Sequence, residues 1–596
     1  MNADGRRWAG GLFGPPWYTE RQRPRGAGAA KSLLEKAARS ESSRTVIRRA
    51  KLAWLCAAAA IALAAQDGAT RENWPSYGGT HRAWRYSGLQ QIHRGNVKQL
   101  APVWAFQTGD YENGLQATPI VIDGVLYLST GRGWVFALDA ATGRLLWEYR
   151  YRLPPDAPQA YGRQNRGVAV GHGRVFLGTP DNHVVAIDQK TGRETWRVNV
   201  EDVKQCGCNI TGAPLVVKDK VITGVTGGDS AHRGYLNAFD AKTGRLAWRF
   251  YTIPGPGEKG NETWAGESWR YGGGSTWMTG SFDAELNLVY WGVGNAAADL
   301  YGAGRRGDNL YTASVVALDA DTGKLRWHYQ EVPHDVWDYD GAYECILVDL
   351  DVKGRPRKLL VHPSKSGYMW VLDRTNGEFI GAWPFVQNAN WIAGITEDGR
   401  LIGRNEPEVG KTKFICPSAA GGKSWNQAAY SPRTGWIYTP GLELCNDLTV
   451  RPQEPQEGRI FIGGSWQMKP PPGGRTYGFI AAFDPLSGKK QWQYDYPYYL
   501  FASVLATAGE LLFSGDPEGN FFALDARNGS KLWSFPTGAG HRGSAVSYAV
   551  GGRQYLATPS AWGSIAGRNP RAIWPEAPEF RAGSTLFVFA LPEEKR

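Results

Sequence analysis

Three short polar runs carry the chemistry open to this sequence. Gly227-Gly228-Asp229, Gly292-Val293-Gly294-Asn295 and His334-Asp335-Val336-Trp337-Asp338-Tyr339-Asp340 each set carboxylate or amide oxygens beside turns. Such oxygens suit a hard cation such as Ca²⁺. Taken singly, each run also reads as an ordinary turn cap, because Asp and Asn side chains bond the nearby backbone. Sulfur says less. Cys206-Gly207-Cys208 is open to three readings, a small disulfide, a metal-binding pair or reduced thiols, and a lone C-x-C is weak ground for a metal. Cys416 and Cys445, in a Gly/Pro-rich region, are disulfide candidates of the kind exported proteins carry. No C-x-x-C-H run occurs, so no haem is attached to this chain.

The elements that must position these runs announce themselves by repetition. A small or apolar residue, Leu, Phe or Ile, then Asp, Gly four residues on and Trp four further recur at Asp139/Gly143/Trp147, Asp188/Gly192/Trp196, Asp240/Gly244/Trp248, Asp319/Gly323/Trp327, Asp484/Gly488/Trp492 and Asp525/Gly529/Trp533. A seventh copy, Asp373/Gly377, has Gly381 where Trp is expected. A period of roughly 40–50 residues with one aromatic per unit indicates a propeller or solenoid. Each unit reads as a hairpin whose Asp and Gly make the turn, with the Trp wedged against the next sheet. Trp104 and the degenerate copy bring the count to eight, and the apolar tail at 584–591 reads as a strand that pairs with the N-terminal strands to close the ring. The expected fold is all-β, an eight-bladed propeller with Trp docking motifs, over residues 66–596.

The 596-residue chain has a formal net charge of +11, but the charge is concentrated at one end. Residues 1–65 hold twelve Lys/Arg and four Asp/Glu, a net of +8, which leaves +3 for the rest. No nucleic-acid role is expected from that distribution. Arg48, Arg49 and Lys51, the apolar run at 52–63 and Ala62-Leu63-Ala64 read as a secretory signal over 46–65, with Cys56 inside it. The run is short for a membrane span. Residues 1–45 show no folding pattern, and translation from Val46 is the expectation; a cytoplasmic tail with an uncleaved anchor is the alternative.

Several motifs resemble one family closely. Gly307-Asp308-Asn309-Leu310-Tyr311, the run from Ala317-Leu318-Asp319 to Trp327-His328-Tyr329, the 334–340 run, Gly272-Gly273-Gly274-Ser275-Thr276-Trp277 and Leu372-Asp373-Arg374-Thr375-Asn376-Gly377 are similar to the quinoprotein alcohol dehydrogenases, which use pyrroloquinoline quinone (PQQ). The likeness spans about residues 73–593. It implies an eight-bladed propeller, a periplasmic location and electron transfer to a cytochrome c-type acceptor. It implies Asp338 as catalytic base, since a carboxylate beside a cation and a quinone can take the hydroxyl proton as hydride leaves. Asp229 and Asn295 match metal ligands, joined by Asp338 and Asp340. Trp277, out of phase with the repeat, matches the flat floor under the cofactor, and Lys365 the cation on the quinone oxygens. Arg166, Thr211, Thr226 and Asn426 match contacts to PQQ's carboxylates and carbonyls, and Gln116 stands where the family often has Glu. Cys416 and Cys445 match a family disulfide.

Departures from the pattern bear on substrate and metal. Alcohol dehydrogenases of the family usually carry Glu at the Asp229 position, whereas the related membrane glucose dehydrogenases have Asp, so the substrate is a primary alcohol, a polyol or a sugar. The adjacent cysteines many members place above the cofactor are replaced by Ala160 and Tyr161. Tyr161 or the Cys206–Cys208 loop must cover that face instead. Asp340 resembles the extra acid of lanthanide-dependent members and is also found in the sugar branch; Ca²⁺ is the first expectation and a lanthanide the second. Loops at 254–273, 387–410 and 450–474 are expected to shape the entrance, and a homodimer is an open expectation. The competing reading is a non-catalytic β-propeller scaffold of the cell envelope, which would share the Trp repeat but have no need of Asp229, Asn295, Asp338 and Lys365 together.

Overall fold

A computed structural model describes residues 68–157, 161–563, 571 and 573–593; the expected signal at 46–65, the stretch before it and Ala160 lie outside the described residues. The fold is all-β. One five-stranded and seven four-stranded sheets are present among the described residues, with a two-stranded and a three-stranded ribbon besides. One four-stranded sheet is typical: Ile120–Ile122, Val125–Ser129, Trp134–Asp139 and Leu145–Arg150 pair antiparallel in chain order.

The turn that recurs in the sequence is built locally. Asp139 Oδ1 accepts hydrogen bonds from the Ala141 and Thr142 amides at 3.1 and 2.9 Å and from Thr142 Oγ1 at 2.9 Å. Gly143 then takes φ +75°, a conformation open to glycine at little cost, and its amide donates to Asp139 O at 2.8 Å. The same pattern surrounds Asp188, Asp240, Asp319 and Asp484. The tryptophans reach across to the following unit. Trp147 Nε1 donates to Gln189 O at 3.0 Å, Trp248 to Ala320 O at 3.2 Å, Trp327 to Arg374 O at 3.1 Å and Trp492 to Ala526 O at 3.1 Å, in each case the residue after the next turn's Asp. A Cβ on Gly192 would come within 2.8 Å of the Trp147 ring, so the turn glycine also leaves room for the indole.

The degenerate copy differs from its sequence reading in one respect. Gly381 does stand at the expected Trp position, but Trp383, two residues on in the strand Phe379–Pro384, lies against Gly488, where a Cβ would meet its ring at 2.1 Å. The indole survives, displaced along its strand. The tail strand Thr585–Ala590 pairs with Ala101–Gln107 on one side and with Arg553–Ser560 on the other, joining the two ends of the described chain. Apolar residues of neighbouring sheets interleave, as where Tyr127, Val135 and Ala137 of one meet Val175, Leu177, Val185 and Ile187 of the next.

Two stretches break this regularity. The gap before Asp319 holds the short 3₁₀ turns Asn261–Thr263, Ser268–Tyr271 and Gly302–Arg305. The longer gap before Asp484 holds both small ribbons, Gly394–Ile395 with Leu401–Ile402, and Thr412–Ile415 with Cys445–Val450 and Gly464–Lys469. Among the described residues, no helix is long and apolar enough to cross a membrane.

Candidate active site

The 334–340 run is a capped turn. Asp335 Oδ1 accepts from the Trp337 amide at 3.0 Å and its Oδ2 from the Tyr339 amide at 2.9 Å, while Asp338 takes φ +67°, a region that Asp tolerates better than most residues. One acid of the run is thus spent on structure, and Asp338 and Asp340 remain for chemistry. Buried Arg305 stitches this turn to the segment carrying Asn295. It donates to Asp335 O, to Ala298 O at 2.9 Å, to Asp299 O at 3.2 Å and to Asn309 Oδ1 at 2.7 Å. Lys365 sits in the tight connection between the strands Arg355–Pro363 and Tyr368–Asp373, where the Ser364 amide donates to Tyr368 O at 3.0 Å.

These segments converge. Lys365 Nζ lies 2.8 Å from Asp338 Oδ1 and 3.2 Å from Asp340 Oδ2. Asn295 Nδ2 donates to Asp229 Oδ1 at 3.2 Å and to Asp299 Oδ1 at 3.0 Å, and its backbone amide to Asp340 Oδ1 at 3.3 Å. Oxygens of Asp229, Asp299 and Asp338 all lie within 4.8 Å of one another. Burial drives the Asp338 carboxyl well above the usual range; Lys365 opposes the rise, and Asp229 and Asp340 add to it. Burial, then Asp229 and Asp338, likewise raise Asp299, and burial with Asp340 pushes Asp229 up to about 6. For Lys365 burial works against the ammonium, but Asp338 and Asp340 override it and hold it firmly charged.

Four carboxylates facing one ammonium leave negative charge to be met, and buried like charges are costly until a counter-ion or protons supply it. The donor set fits a hard cation on other grounds too. Asn295 Oδ1 and Asp299 Oδ2 are buried without a hydrogen-bond partner. Gly228 and Gly294 keep the space clear, since a Cβ on them would sit 2.4 Å from Asn295 Oδ1 and 2.5 Å from Asp340 Oδ1.

Beside the acids lies a cavity of about 170 Å³ lined by Arg166, Thr211, Thr226, Asp229, Trp277 and Asn295. Trp277 Nε1 donates to Asp340 Oδ1 at 3.3 Å, and the Arg166 guanidinium stands 4.8 Å from the Trp277 ring centroid. Consecutive backbone bonds, Thr118 N to Arg166 O and Arg166 N to Thr211 O, both 2.9 Å, bring these wall segments together. Arg166 Nε and Nη1 and Thr211 Oγ1 are buried without partners, as a wall awaiting an acidic, carbonyl-bearing cofactor would be. Thr226 Oγ1 donates to Asn209 Oδ1 at 2.7 Å. Gln116 is buried two residues before Thr118. Asn426 is buried, but its amide is engaged elsewhere, donating to Leu500 O at 2.7 Å and accepting from Tyr499 Oη at 2.6 Å.

Tyr161 lines the cavity and shares a 2.9 Å hydrogen bond with Ser230 Oγ. Cys206 and Cys208 form a disulfide with each other, which closes the metal and free-thiol readings; Cys208 Cβ lies 3.3 Å from where a Cβ on Gly227 would stand. Cys416 and Cys445 are disulfide-bonded. Of the three loops expected at the entrance, two meet: Tyr271 from the first and Gln453 and Phe461 from the third line a cavity of about 400 Å³ with Tyr301. A larger groove, about 800 Å³, runs along the outer strand Phe379–Pro384 and touches none of the acids. Asp299 and Arg305 were not expected from the sequence. Asp299 had a signal, a carboxylate ending Ala296-Ala297-Ala298 four residues after Asn295; Arg305 had none beyond its charge.

Fold and site together describe an all-β propeller with a polar cavity set against buried acids. Residues 74–389 match the family model described as glucose/ethanol/alcohol dehydrogenase, beta-propeller domain, and residues 417–572 match that of the outer membrane protein assembly factor BamB. The chain is 37% identical over 539 residues to the quinoprotein alcohol dehydrogenase PedH of Pseudomonas putida, covering 86% of this chain and 89% of that one. It is 36% identical over 560 residues to a quinohemoprotein alcohol dehydrogenase of Comamonas testosteroni, covering 89% and 78%. Among solved structures, a europium-containing methanol dehydrogenase superposes with a TM-score of 0.82 at 34% identity, covering 87% of this chain and 98% of the other. This chain belongs to the PQQ-dependent quinoprotein alcohol dehydrogenase family and is an oxidoreductase acting on CH–OH groups.

Proposed function

We propose that this protein is a periplasmic dehydrogenase that oxidises a primary alcohol, or a polyol or sugar, to the carbonyl product and passes the electrons to a cytochrome c-type acceptor. The eight large sheets are read as eight blades and the Trp–turn contacts as the docking motifs between them. The run at 46–65, read from the sequence as a secretory signal, supports export.

Asp229, Asn295, Asp299, Asp338 and Asp340 would hold the cation, Ca²⁺ first and a lanthanide second, and Trp277, Lys365, Arg166, Thr211, Thr226, Asn426 and Gln116 would hold PQQ. When bound, the quinone supplies the two-electron acceptor and the cation a Lewis acid. Asp338 takes the substrate's hydroxyl proton onto a carboxylate oxygen. Lys365, 2.8 Å away, keeps that carboxylate oriented and favours its ionised form. Trp277 offers an indole face and ties it to Asp340. The Tyr271–Tyr301–Phe461 cavity is the mouth through which substrate would enter.

The observation that carries this reading is the convergence of Asp229, Asp299 and Asp338 oxygens within 4.8 Å, with Lys365 against Asp338. A scaffold has no use for that cluster, all of which falls within residues 74–389. The test is reconstitution of the purified protein with PQQ and either Ca²⁺ or La³⁺, assayed with a dye acceptor against alcohols, polyols and sugars. Turnover that requires both additions supports the proposal. No turnover and no bound-quinone spectrum under any pairing would overturn it.

A further inference from the structure

Five arginines are buried among the described residues: Arg85, Arg166, Arg305, Arg374 and Arg542. Three are held by carboxylates or several oxygens of the protein itself, with one donor among them, Arg374 Nη2, left without a partner. Arg85 donates to Val504 O at 3.0 Å, Tyr77 O at 3.0 Å and Ala545 O at 2.8 Å. Arg305 is the stitch described above, and Arg374 pairs with Asp283 and Asp349, each at 2.7 Å. The other two are built differently. Arg166 donates from Nη2 to Gln164 Oε1 at 3.2 Å, leaving Nε and Nη1 without partners. Arg542 donates from Nη1 to Gly563 O and leaves Nε without one.

The two guanidiniums flank one indole, Trp425, with Arg166 Cζ 5.6 Å and Arg542 Cζ 4.8 Å from the ring centroid. Burial pushes Arg166 down to about 10 and Arg542 to about 9, the latter depressed further by Arg166 itself, and no carboxylate opposes either shift. Arg542 also stands over Phe501 at 4.8 Å and Trp562 at 5.3 Å, which offsets part of the cost of burying it. Rings cannot satisfy an orphaned N–H. The backbone ties Arg542 to the cavity wall: Ser544 N donates to Ala117 O at 3.2 Å, beside Gln116, and Thr118 N donates to Arg166 O at 2.9 Å. Two buried guanidiniums without an acidic partner, Arg166 lining the cavity and Arg542 set behind that wall and sharing Trp425 with it, call for an anion, and planar N–H forks suit a carboxylate.

We propose that Arg542 is a second cofactor-binding arginine, which together with Arg166 clamps a carboxylate of the quinone. The proposal rests on the reading of this chain as a PQQ enzyme. Nothing in its own neighbourhood of sequence singles Arg542 out, and its role follows only from what it lacks in the fold.

The test is PQQ binding by the apo full-length protein, followed by quenching of tryptophan fluorescence, beside its melting temperature without ligand. Arg542→Met is expected to raise the Kd for PQQ about tenfold to a hundredfold, the loss of hydrogen bonds to a charged group. The apo melting temperature is expected to hold or rise, because the variant no longer buries an unpaired charge. Arg542→Lys, which keeps the charge and loses the fork, is expected to weaken binding by at least about threefold and serves if the Met variant does not fold. A folded variant that binds PQQ with wild-type affinity overturns the clamp. Millimolar inorganic phosphate that raises the melting temperature of wild type and not of Arg542→Met, with PQQ affinity unchanged, overturns it in favour of a free-anion site. Wild type that fails to bind PQQ at all removes the enzyme reading along with the clamp, whereas unchanged affinity in the variants removes the clamp alone.

Discussion

The two ends of the cavity lined by Arg166, Trp277 and Asp229 carry opposite charge, and each is out of balance by itself. At one end Asp229, Asp299, Asp338 and Asp340 gather about Lys365, with Arg305 acting on Asp299 besides; at the other Arg166 faces no acid, and its neighbour Arg542 repels it. Trp277 joins the ends, donating to Asp340 while lying under Arg166. The ends tolerate their imbalance by different means. Carboxylates can take up protons, and the raised values of Asp229, Asp299 and Asp338 show that tendency. A guanidinium gives up its proton far less readily, so the basic end shelters its charge against aromatic faces instead. The lesson is that the acid end can be quietened by low pH, and the basic end only by a ligand.

The contrast can be broken most severely at Asp338. Asp338→Asn is expected to cut kcat by about a thousandfold with PQQ affinity little changed, read by steady-state rates beside fluorescence titration. At the same end, Asp299→Asn is expected to weaken Ca²⁺ or La³⁺ binding to the apo protein by about ten- to a hundredfold, measured by calorimetry. Unchanged affinity would show that Asp299 stands outside the cation's reach. Protons should compete at this end. Asp229 is raised from 3.8 to about 6, so in the apo protein its contribution to stability is full at low pH and is lost as pH rises through about 6. Cation affinity is accordingly expected to climb with pH through about 6 as the Asp229 proton is released, by up to about tenfold per unit, and to go on rising above that as Asp299 and Asp338 give up theirs. Arg166→Lys acts on the other end and is expected to weaken PQQ about tenfold with no change in cation affinity. Smallest of all is the control: Trp248→Ala, in the regular part of the fold, should lower the melting temperature and leave both affinities as they were.

How far the molecule was legible beforehand depended on distance along the chain. The repeating turns were readable because Asp139, Thr142 and Gly143 satisfy one another within four residues, and the same local bonds recur at each copy. The degenerate copy was read as lacking its Trp because strict spacing pointed at Gly381, whereas an indole two residues along the same face of a strand can reach the same neighbour. For the site, the 334–340 run was visible as a cluster, but not that Asp335 would be consumed as a cap. Asp229, Asn295, Asp338, Asp340, Trp277, Lys365, Arg166 and Thr211 were each marked by a motif, and they do gather. Asn426 was marked in the same way, and its amide is held by Leu500 and Tyr499. Asp299, Arg305 and Arg542 escaped because their importance lies in partners far off in sequence, or in the absence of partners.

By itself, then, the sequence determined the hairpins, their turns and the spacing of the tryptophans, because those follow from bonds between near neighbours and from the room a glycine leaves. It also marked which segments depart from that pattern. Only the tertiary structure decided which departures meet. Asn295 and Asp229 are 66 residues apart, and Trp277 and Asp340 are 63 apart, yet each pair is hydrogen-bonded. Charges forced together in a dry interior acquire values and needs that no isolated segment has, and those unmet needs, negative at one end and positive at the other, are what the proposed ligands would answer.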